Sequence, residues 1–504
     1  MKSVVTARAL SRRLGSLDAA FLSIETPEAP LHIGGVSIIG GDVTAERLAS
    51  RLTARLGEIP RYVQRLVSAP LGIGHPAWEA DPDFDIRQHV VEARLGAPGD
   101  EAALRGHAAR LFETHLSRER PLWELHVIRG LAGGRTAILS KIHHCMVDGI
   151  SGVELMDVVY DLSPSEGAPR EAPGIAALPP VSRLDLLLEG AAEAVGGALE
   201  AGVGVVQAVG ALPVTWRAAA HRTVEVVAAL AAAAGAPVAR LPFNRPLTGA
   251  RRLGWLTLPL DEVTGIRRAR GGTINDVVLA VLTDGIGRWL SASGVPIQGR
   301  CLRLLVPVSL RQDGERGLLG NRVSMVPVEV PFDGTPLERL DAAARRSNAM
   351  KRAGIAELVD ALSRAGALLP ARAQSWLLGV AASPRVLEWS APLRSAPVLV
   401  GNLVCTNVPG PPVPLYALGH RVLAHYPIVP LGFETGLNCA VFTYNQVLHL
   451  GLVADGGAVD DLDPLCDRIR EAHVDLCRAA GLVPRARGRR APSRARGPRR
   501  GREG

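Results

Sequence analysis

A proline-rich segment followed by a long alanine-rich stretch divides this chain of 504 residues into two parts. Residues 163–180 contain five prolines, and the stretch from Ser182 to about Ala234 is rich in Ala, Val and Gly and is interrupted at Pro213. Proline lacks a backbone donor and disfavours a helical residue before it, so the first segment is predicted to be a linker. The second is predicted to form two helices that cross between domains. Because one core rarely serves a chain of this length, we predict two domains.

Strand and helix patterns alternate before this divide. Residues 30–40, PLHIGGVSIIG, predict a strand, and residues 44–57, TAERLASRLTARLG, predict an amphipathic helix with leucines four residues apart. Residues 123–144, WELHVIRGLAGGRTAILSKIHH, predict two strands joined at a Gly-Gly turn. Residues 151–162, SGVELMDVVYDL, predict a further helix. The first domain is therefore predicted to be α/β and to span residues 1–162.

The alternation resumes after Asn244. Residues 271–290, GGTINDVVLAVLTDGIGRWL, predict a helix with one apolar face. Later strands are predicted in CLRLLVPVSLR, NRVSMVPVEVP, GNLVCTNVP and NCAVFTYNQVLHLGLVAD, the last of which is a hairpin that turns at Asn445 and Gln446. We therefore predict a second α/β domain over residues 244–484, with the linker and helical crossover occupying residues 163–243.

The net positive charge of the chain comes from its C-terminal tail. The formal net charge is +8, and residues 485–504 contain nine arginines against the single acid Glu503, a balance of +8. The rest of the chain is therefore neutral, and the tail lacks the interleaved aromatic residues that nucleic-acid binding favours. The tail is predicted to be disordered because it is rich in Gly and Pro. We expect it to contact an anionic membrane surface rather than a nucleic acid.

Composition indicates a bacterial, cytoplasmic protein. The chain has only three lysines and is rich in Ala, Gly and Arg, which is typical of a GC-rich genome. Its six cysteines form no CxxC pair and no metal-finger spacing, so reduced thiols are expected. The N-terminus has no secretory apolar run, and the apolar stretch from Ala191 to Leu212 contains Glu193 and Glu200. We therefore predict no membrane-spanning helix and at most peripheral association with a membrane.

The segment KIHHCMVDGIS, residues 141–151, lies between a predicted strand and a predicted helix start and contains the candidate catalytic residues. His143 and His144 are adjacent, so on a continued strand their side chains would point to opposite faces. This arrangement and the absence of HExxH spacing argue against a metal site here. Taken alone, such a pair is more often one buried, hydrogen-bonded histidine and one exposed histidine. Asp148 and Gly149 favour a site instead.

The histidine pair, Asp148 and Gly149 together suit the site of a general base. A base needs an uncharged imidazole near neutral pH, held in one tautomer, and a carboxylate four residues later can brace the loop. Gly149 would let the backbone turn sharply into the helix. The nucleophile motif GxSxG is absent. The residues therefore predict a histidine that activates an external nucleophile.

HHxxxDG is the signature of the coenzyme A-dependent acyltransferase superfamily, and further motifs narrow the resemblance. The chain resembles the bacterial wax ester synthase/acyl-CoA:diacylglycerol acyltransferase family from about residue 14 to 480. The motifs that resemble this family occur in its order: LGSLDAAFLSIETPEAPLHIGG, RPLWELHVIRGL, INDVVLA, PVSLR, GNRVSMVPVEVP, TNVPGP and GLVAD. The departures are the basic tail, a short N-terminal extension and FTYNQVLHL, where a Gly-containing turn is more usual.

The resemblance implies two chloramphenicol-acetyltransferase-like domains around a tunnel, with acyl-CoA as a substrate and no cofactor or metal. It implies that His144 takes the proton of a lipid hydroxyl, with His143 as its neighbour, and that the oxygen attacks the thioester directly. It also implies that Asp148 holds its loop through an arginine, for which Arg311 is the candidate. Asn275 would donate to the oxyanion, although Asn275 and Asp276 also suit helix capping.

The acceptor implied by the resemblance is diacylglycerol or a long-chain alcohol, taken from a membrane or lipid-droplet surface. The sequence does not distinguish the two acceptors, nor does it indicate acyl-chain length or oligomeric state. Two other functions stay open. One is a condensation-type transferase that acts on a carrier protein. Such a transferase would lack the PLW motif of RPLWELHVIRGL and the ND motif of INDVVLA, and this chain has both. The other is a non-catalytic lipid-binding protein on the same fold, which the intact histidine motif argues against.

Overall fold

The computed structural model describes residues 13–68, 70, 75–146, 151–165, 181–189, 192, 238–309, 323–352, 401–432 and 434–484. The strands of these ranges are β1 His32–Ile39, β2 Gln64–Val67, β3 Ala77–Ala80, β4 Val90–Arg94, β5 Trp123–Leu131, β6 Arg135–His143, β7 Arg251–Pro259, β8 Cys301–Ser309, β9 Val323–Pro331, β10 Leu403–Pro409, β11 Tyr416–Ala417, β12 His420–Ile428, β13 Leu437–Tyr444 and β14 Val447–Asp455. The helices are α1 Ser16–Ile24, α2 Ala45–Thr53, α3 Glu101–Glu113, α4 Ser151–Val159, α5 Leu260–Arg270, α6 Ile274–Ala292, α7 Pro336–Arg352 and α8 Asp463–Ala479.

The first of two six-stranded sheets has the order β11-β12-β1-β6-β5-β4. All neighbours in it are antiparallel except β4 and β5. β11 and β12 come from late in the chain, yet β12 pairs with β1 from Gly34 opposite Ile428 to Ile39 opposite Val422. The α/β class predicted from the sequence is confirmed. This strand exchange is not anticipated by the predicted boundaries, which assign residues 416–428 to the second domain.

The second sheet has the order β7-β14-β13-β10-β8-β9. β8, β10 and β13 are parallel at its centre, and antiparallel strands flank them. Its core consists of apolar side chains of the sheet packed against α5, α6 and α8. The predicted helix over residues 271–290 and the strands predicted in this half are confirmed. Most of the predicted linker and helical crossover over residues 163–243 lies outside the described residues, which include only 163–165, 181–189, 192 and 238–243 of it.

A separate apolar cluster lies where the two sheets meet. It contains Val36 and Ile38 of β1 together with Trp255 of β7 and Val453 of β14. The Trp255 ring stacks on Tyr426 of β12 with their centroids 4.8 Å apart. The exchanged strand therefore contributes both a sheet edge and packing between the halves.

Two predicted turns have the expected backbone geometry. Gly133 and Gly134, between β5 and β6, have φ angles of 80° and 67°, a region that favours glycine. Asn445 and Gln446, between β13 and β14, have φ angles of 46° and 65°. The first turn sets the register of β6, and that strand ends at the histidine pair.

Candidate active site

The two histidines lie where β6 ends. His143 is the last residue of the strand, and His144 begins a single 3-10 turn that ends at Met146. The His143 N–H donates to the Leu122 carbonyl at 3.0 Å, and the His144 N–H donates to the Leu31 carbonyl at 2.9 Å. The PLW motif and the segment that enters β1 therefore hold the backbone of the pair from two sides.

His143 is completely enclosed, with 1% of its surface exposed. Its Nδ1 accepts a hydrogen bond from the Cys145 backbone N–H at 3.1 Å. Because Nδ1 accepts, the ring carries a proton on Nε2, which lies 3.4 Å from Oε1 of Glu25. His143 is thus held in one tautomer by the chain on one side and by a carboxylate on the other.

Glu25, whose side chain is 5% exposed, is the centre of a group of charged and titratable side chains, which we call the Glu25 cluster. Its members are Glu25, His32, His115, Arg118, Lys141 and His143. Arg118 donates to the Glu25 carboxylate at 2.8 Å, and the Leu31 N–H donates to it at 3.1 Å. Burial by itself would raise the pKa of the Glu25 carboxyl, but the hydrogen bonds from His143, Arg118 and Leu31, with the His143 charge, lower it well below its ordinary value. Glu25 is therefore ionised inside the protein.

Burial disfavours the charged forms of two basic members of the cluster, His32 and Lys141. The His32 Nε2 lies 3.7 Å from Glu25 Oε1, and burial, followed by the Lys141 and His143 charges, lowers the pKa of His32 to about 2. Lys141 is only 1% exposed, and its Nζ donates to Thr114 Oγ1 at 3.1 Å. Burial also lowers the pKa of Lys141, although the nearby carboxylates of Glu124 and Glu25 oppose this shift. A buried carboxylate surrounded by weakened bases suits proton chemistry.

His144 is half-buried and lies against the aromatic ring of Phe21 on α1. The two ring centroids are 3.9 Å apart, and the planes are inclined by 24°. Burial lowers the pKa of His144 to about 4, the charge that His143 can carry contributes to the shift, and an interaction with its own backbone opposes it. His144 is therefore an uncharged imidazole at neutral pH, as a proton acceptor must be.

Asn275 is the second residue of α6 but does not cap the helix. Thr273 and Asp276 form the capping box: the Thr273 N–H donates to Asp276 Oδ2 at 2.8 Å, and the Asp276 N–H donates to Thr273 Oγ1 at 3.2 Å. The capping role considered for both residues is therefore confirmed for Asp276 only. The buried Oδ1 of Asn275 has no hydrogen-bond partner within the described ranges. Among those residues Asn275 has no hydrogen bond to either histidine, so its oxyanion role stays a prediction.

Three predicted site residues lie outside the described residues: Asp148, Gly149 and Arg311. The proposed brace between Asp148 and an arginine therefore stays a prediction. Trp123 of the PLW motif is a core residue. It is fully buried, and its indole N–H donates to the Tyr62 carbonyl at 2.7 Å.

An open cavity of about 1140 Å³ adjoins the outer side of Arg118. Its lining includes arginines and acids in equal number: Arg65, Arg118, Arg120, Arg183, Glu79, Asp81, Asp83 and Glu119. An anionic group such as a phosphate is favoured by an excess of positive charge, which this lining lacks. The cavity therefore gives no separate indication of a nucleotide site.

Sequence reasoning did not identify Glu25 as a site residue. Glu25 lies in the N-terminal motif LGSLDAAFLSIETPEAPLHIGG, 118 residues before His143 by the numbering, and no short spacing connects the two. The available signal was an acid followed seven residues later by His32 inside a motif that already carried the resemblance. In the structure, β1 and β6 pair with His32 opposite His143, and this pairing brings the segment of Glu25 next to His143.

Comparison with known proteins covers nearly the whole chain. The family model for the wax ester synthase/diacylglycerol acyltransferase catalytic domain matches residues 14–278, and that for the WS/DGAT C-terminal domain matches residues 319–476. A protein of Mycobacterium tuberculosis named "Probable diacyglycerol O-acyltransferase tgs1" is 33% identical over 476 residues, which are 92% of this chain and 95% of that protein.

Solved structures share the fold. The wax ester synthase/diacylglycerol acyltransferase from Marinobacter aquaeolei VT8 aligns with a TM-score of 0.63 at 22% identity, over 93% of this chain and 100% of that one. The first condensation domain of the calcium-dependent antibiotic synthetase aligns with a TM-score of 0.56 at 15% identity, over 94% of this chain and 96% of that one. At these identities the two structures support the fold, while the functional argument depends on the residues of the site.

Proposed function

The chain belongs to the wax ester synthase/diacylglycerol acyltransferase family, and we propose that it transfers a long-chain acyl group from acyl-CoA to a lipid hydroxyl. The acceptor is diacylglycerol, a long-chain alcohol, or both. The observation that carries the proposal is the state of His144. It is an uncharged imidazole packed on Phe21, directly after the end of β6. The last residue of that strand, His143, contacts the buried carboxylate of Glu25.

The proposed reaction is a single displacement with His144 as general base. The acceptor hydroxyl gives its proton to His144 as its oxygen bonds to the thioester carbonyl carbon. The tetrahedral intermediate collapses, the carbon–sulfur bond breaks, and the coenzyme A thiolate takes the proton from His144. Positioned bases contribute about 100- to 10,000-fold to such proton transfers. Asn275 donates its side-chain amide to the oxyanion.

His143 acts as a positioning residue in this proposal. Its ring is fixed by the Cys145 N–H and by the Glu25 carboxylate, so it cannot rotate without breaking both contacts. The negative charge of Glu25 also favours a positive charge nearby, and this effect helps when His144 becomes an imidazolium. Asp148 braces the following loop, with Arg311 as its candidate partner.

The test is to offer acyl-CoA with diacylglycerol and a long-chain alcohol together. Free thiol release would be followed spectroscopically, and the lipid products would be separated by thin-layer chromatography. We expect triacylglycerol, wax ester or both, with matching thiol release. Acyl transfer only to a carrier protein would replace the proposal with a condensation reaction, and lipid binding without thiol release would make the chain a binding protein.

We also propose that the enzyme works at the cytoplasmic surface of the membrane or at lipid bodies, where its apolar acceptor is dissolved. Within the described residues no helix has the length and apolarity needed to cross a membrane. The proposal depends on the nine arginines of residues 485–504. Each arginine near an anionic leaflet contributes about 1 kcal/mol, and salt reduces this attraction.

Truncation after Pro484 tests the surface proposal. The truncated enzyme should keep its activity on detergent-dispersed substrate and should sediment less with anionic vesicles at low salt. The full chain on uncharged vesicles is the control. Equal sedimentation of the truncated and full chains with anionic vesicles at low salt would show that the tail is not the anchor.

A further inference from the structure

Three potential metal ligands converge between α5 and α8, away from the histidine pair. Glu262 lies in the first turn of α5, and His473 and Cys477 lie one turn apart on α8. The His473 Nε2 is 2.8 Å from Glu262 Oε2 and 3.6 Å from Cys477 Sγ, and Cys477 Sγ is 3.9 Å from Glu262 Oε2. The three ligand atoms, one each from a carboxylate, an imidazole and a thiol, all lie within 4.8 Å of one another.

The spacing of these atoms is close to one face of a tetrahedral zinc site. Zinc bonds of about 2.0–2.3 Å place neighbouring ligand atoms about 3.3–3.7 Å apart. The two distances to sulfur are near this range. The oxygen–nitrogen distance of 2.8 Å is that of a hydrogen bond. It needs to lengthen by roughly half an ångström on metal binding, which rotation of the Glu262 side chain can provide.

The surroundings also suit a metal. Cys477 is fully buried, His473 is 3% exposed, and the Glu262 side chain is 11% exposed. A mostly dry site strengthens bonds to a cation, while the partly exposed carboxylate leaves a route from solvent. A thiolate, an imidazole and a carboxylate are all ligands that zinc accepts in proteins.

We propose that Glu262, His473 and Cys477 bind one Zn²⁺ ion, with water as the fourth ligand. The ion joins the start of α5 to the C-terminal half of α8, two helices on the core of the second sheet. Its role is structural, because it contacts no member of the histidine site. It is independent of the acyl-transfer reaction proposed above.

Binding must release a proton. The Cys477 S–H bond breaks, the proton goes to solvent, and the sulfur bonds to zinc. Zinc affinity should therefore fall as the pH is lowered.

The experiment uses the full chain, stripped with a chelator and titrated with Co²⁺ as a spectroscopic substitute and then with Zn²⁺. We expect one equivalent of Co²⁺ per chain, with a thiolate-to-cobalt charge-transfer band and the visible bands of a tetrahedral site, and displacement by Zn²⁺. Cys477→Ser should abolish the charge-transfer band and weaken binding by about 100-fold or more. Cys301→Ser is the matched control, because Cys301 is an exposed thiol outside this cluster and its removal should change neither result.

A second variant covers the case in which Cys477→Ser does not fold. Glu262→Gln keeps the size of the side chain and should weaken Zn²⁺ binding by about 10-fold or more while the charge-transfer band survives. Zinc should also raise the melting temperature of the stripped wild-type protein and should not raise that of Glu262→Gln to the same extent. Failure of the wild-type chain to bind a stoichiometric ion, or equal binding by wild type and Glu262→Gln, would leave the three residues as a hydrogen-bonded contact between helices and overturn the proposal.

Discussion

The interiors of the two six-stranded sheets differ in their polarity. Beside the first sheet, the Glu25 cluster places an ionised carboxylate, a lysine and two histidines in a space that water scarcely reaches, with His115 and Arg118 at its exposed edge. Beside the second sheet, a large apolar cluster forms most of the core, and buried charges such as those of Arg251 and Asp455 are matched in a pair of opposite sign. Burying charge is costly unless it is paired, whereas burying apolar surface stabilises the fold at about 25 cal/mol per Å². We infer that the first half performs the proposed proton transfer, while the second half supports it and contributes Asn275.

His144→Ala should give the largest effect on turnover. We expect a loss of about 100- to 10,000-fold, because the base is removed. The melting temperature should change little, since His144 is half-buried and belongs to no ion pair of the described residues. The measurement is coenzyme A release at saturating acyl-CoA, with circular dichroism to verify folding. Near-normal turnover would place the base elsewhere.

His143→Ala separates the positioning role from the base. We expect a smaller loss of turnover than for His144→Ala, together with a lower melting temperature, because Glu25 loses one of its buried partners. A variant that lost more turnover than His144→Ala while keeping its stability would exchange the two roles.

Leu450→Ala tests the supporting role of the second sheet. Leu450 on β14 is completely buried, so its truncation should reduce the free energy of unfolding by about 2–5 kcal/mol. Turnover per folded molecule should remain near that of the wild type. Chemical denaturation gives the stability, and active-site-normalised kinetics give the turnover. A large loss of turnover in the fully folded fraction would break the division between the halves.

Asn275→Ala tests what the second half contributes to the reaction, because Asn275 lies on α6 of that half. Loss of an oxyanion donor should lower turnover by about 100- to 1,000-fold. Stability should hardly change, since Thr273 and Asp276 cap the helix. Thr273→Ala is the matched control: it should reduce stability by about 1 kcal/mol and leave turnover of the folded enzyme intact. The reverse pattern would make Asn275 a structural residue.

Glu25→Gln tests the buried charge of the first half through the pH dependence of the free energy of unfolding. The folded-state pKa of Glu25 lies below its ordinary value of 4.5, so its stabilising effect is present above that pH and is lost as the pH falls further. Removing the charge should cost about 2 kcal/mol at pH 7 and should flatten the stability curve below pH ~4.5. Glu28→Gln is the control, because Glu28 is an exposed acid in the same segment. Parallel pH curves for wild type and Glu25→Gln would contradict the cluster's role.

The sequence predicted the local elements and the motif, and it also predicted the family, which the comparisons confirm. Alternating and helical patterns located β1, β5, β6 and α6, because these patterns depend on neighbours along the chain. The Glu25 cluster was not predicted, since its members come from separate segments that only the sheet pairing brings together. The group of Glu262, His473 and Cys477 was not predicted for the same reason, because 211 residues separate the acid from the histidine. Motif spacing detects ligands within one segment, and these sites draw on two or more.

The exchanged strand has a consequence for synthesis of the chain. Ser37 of β1 bonds to His425 of β12 across 388 residues, so the ribosome must make most of the protein before β1 gains its second neighbour. Until then one edge of β1 has unpaired amide and carbonyl groups, and such an edge readily pairs with another chain. The nascent polypeptide therefore passes through a prolonged aggregation-prone interval. We expect its yield in cells to depend on chaperones that shield this edge until residue 428 has emerged.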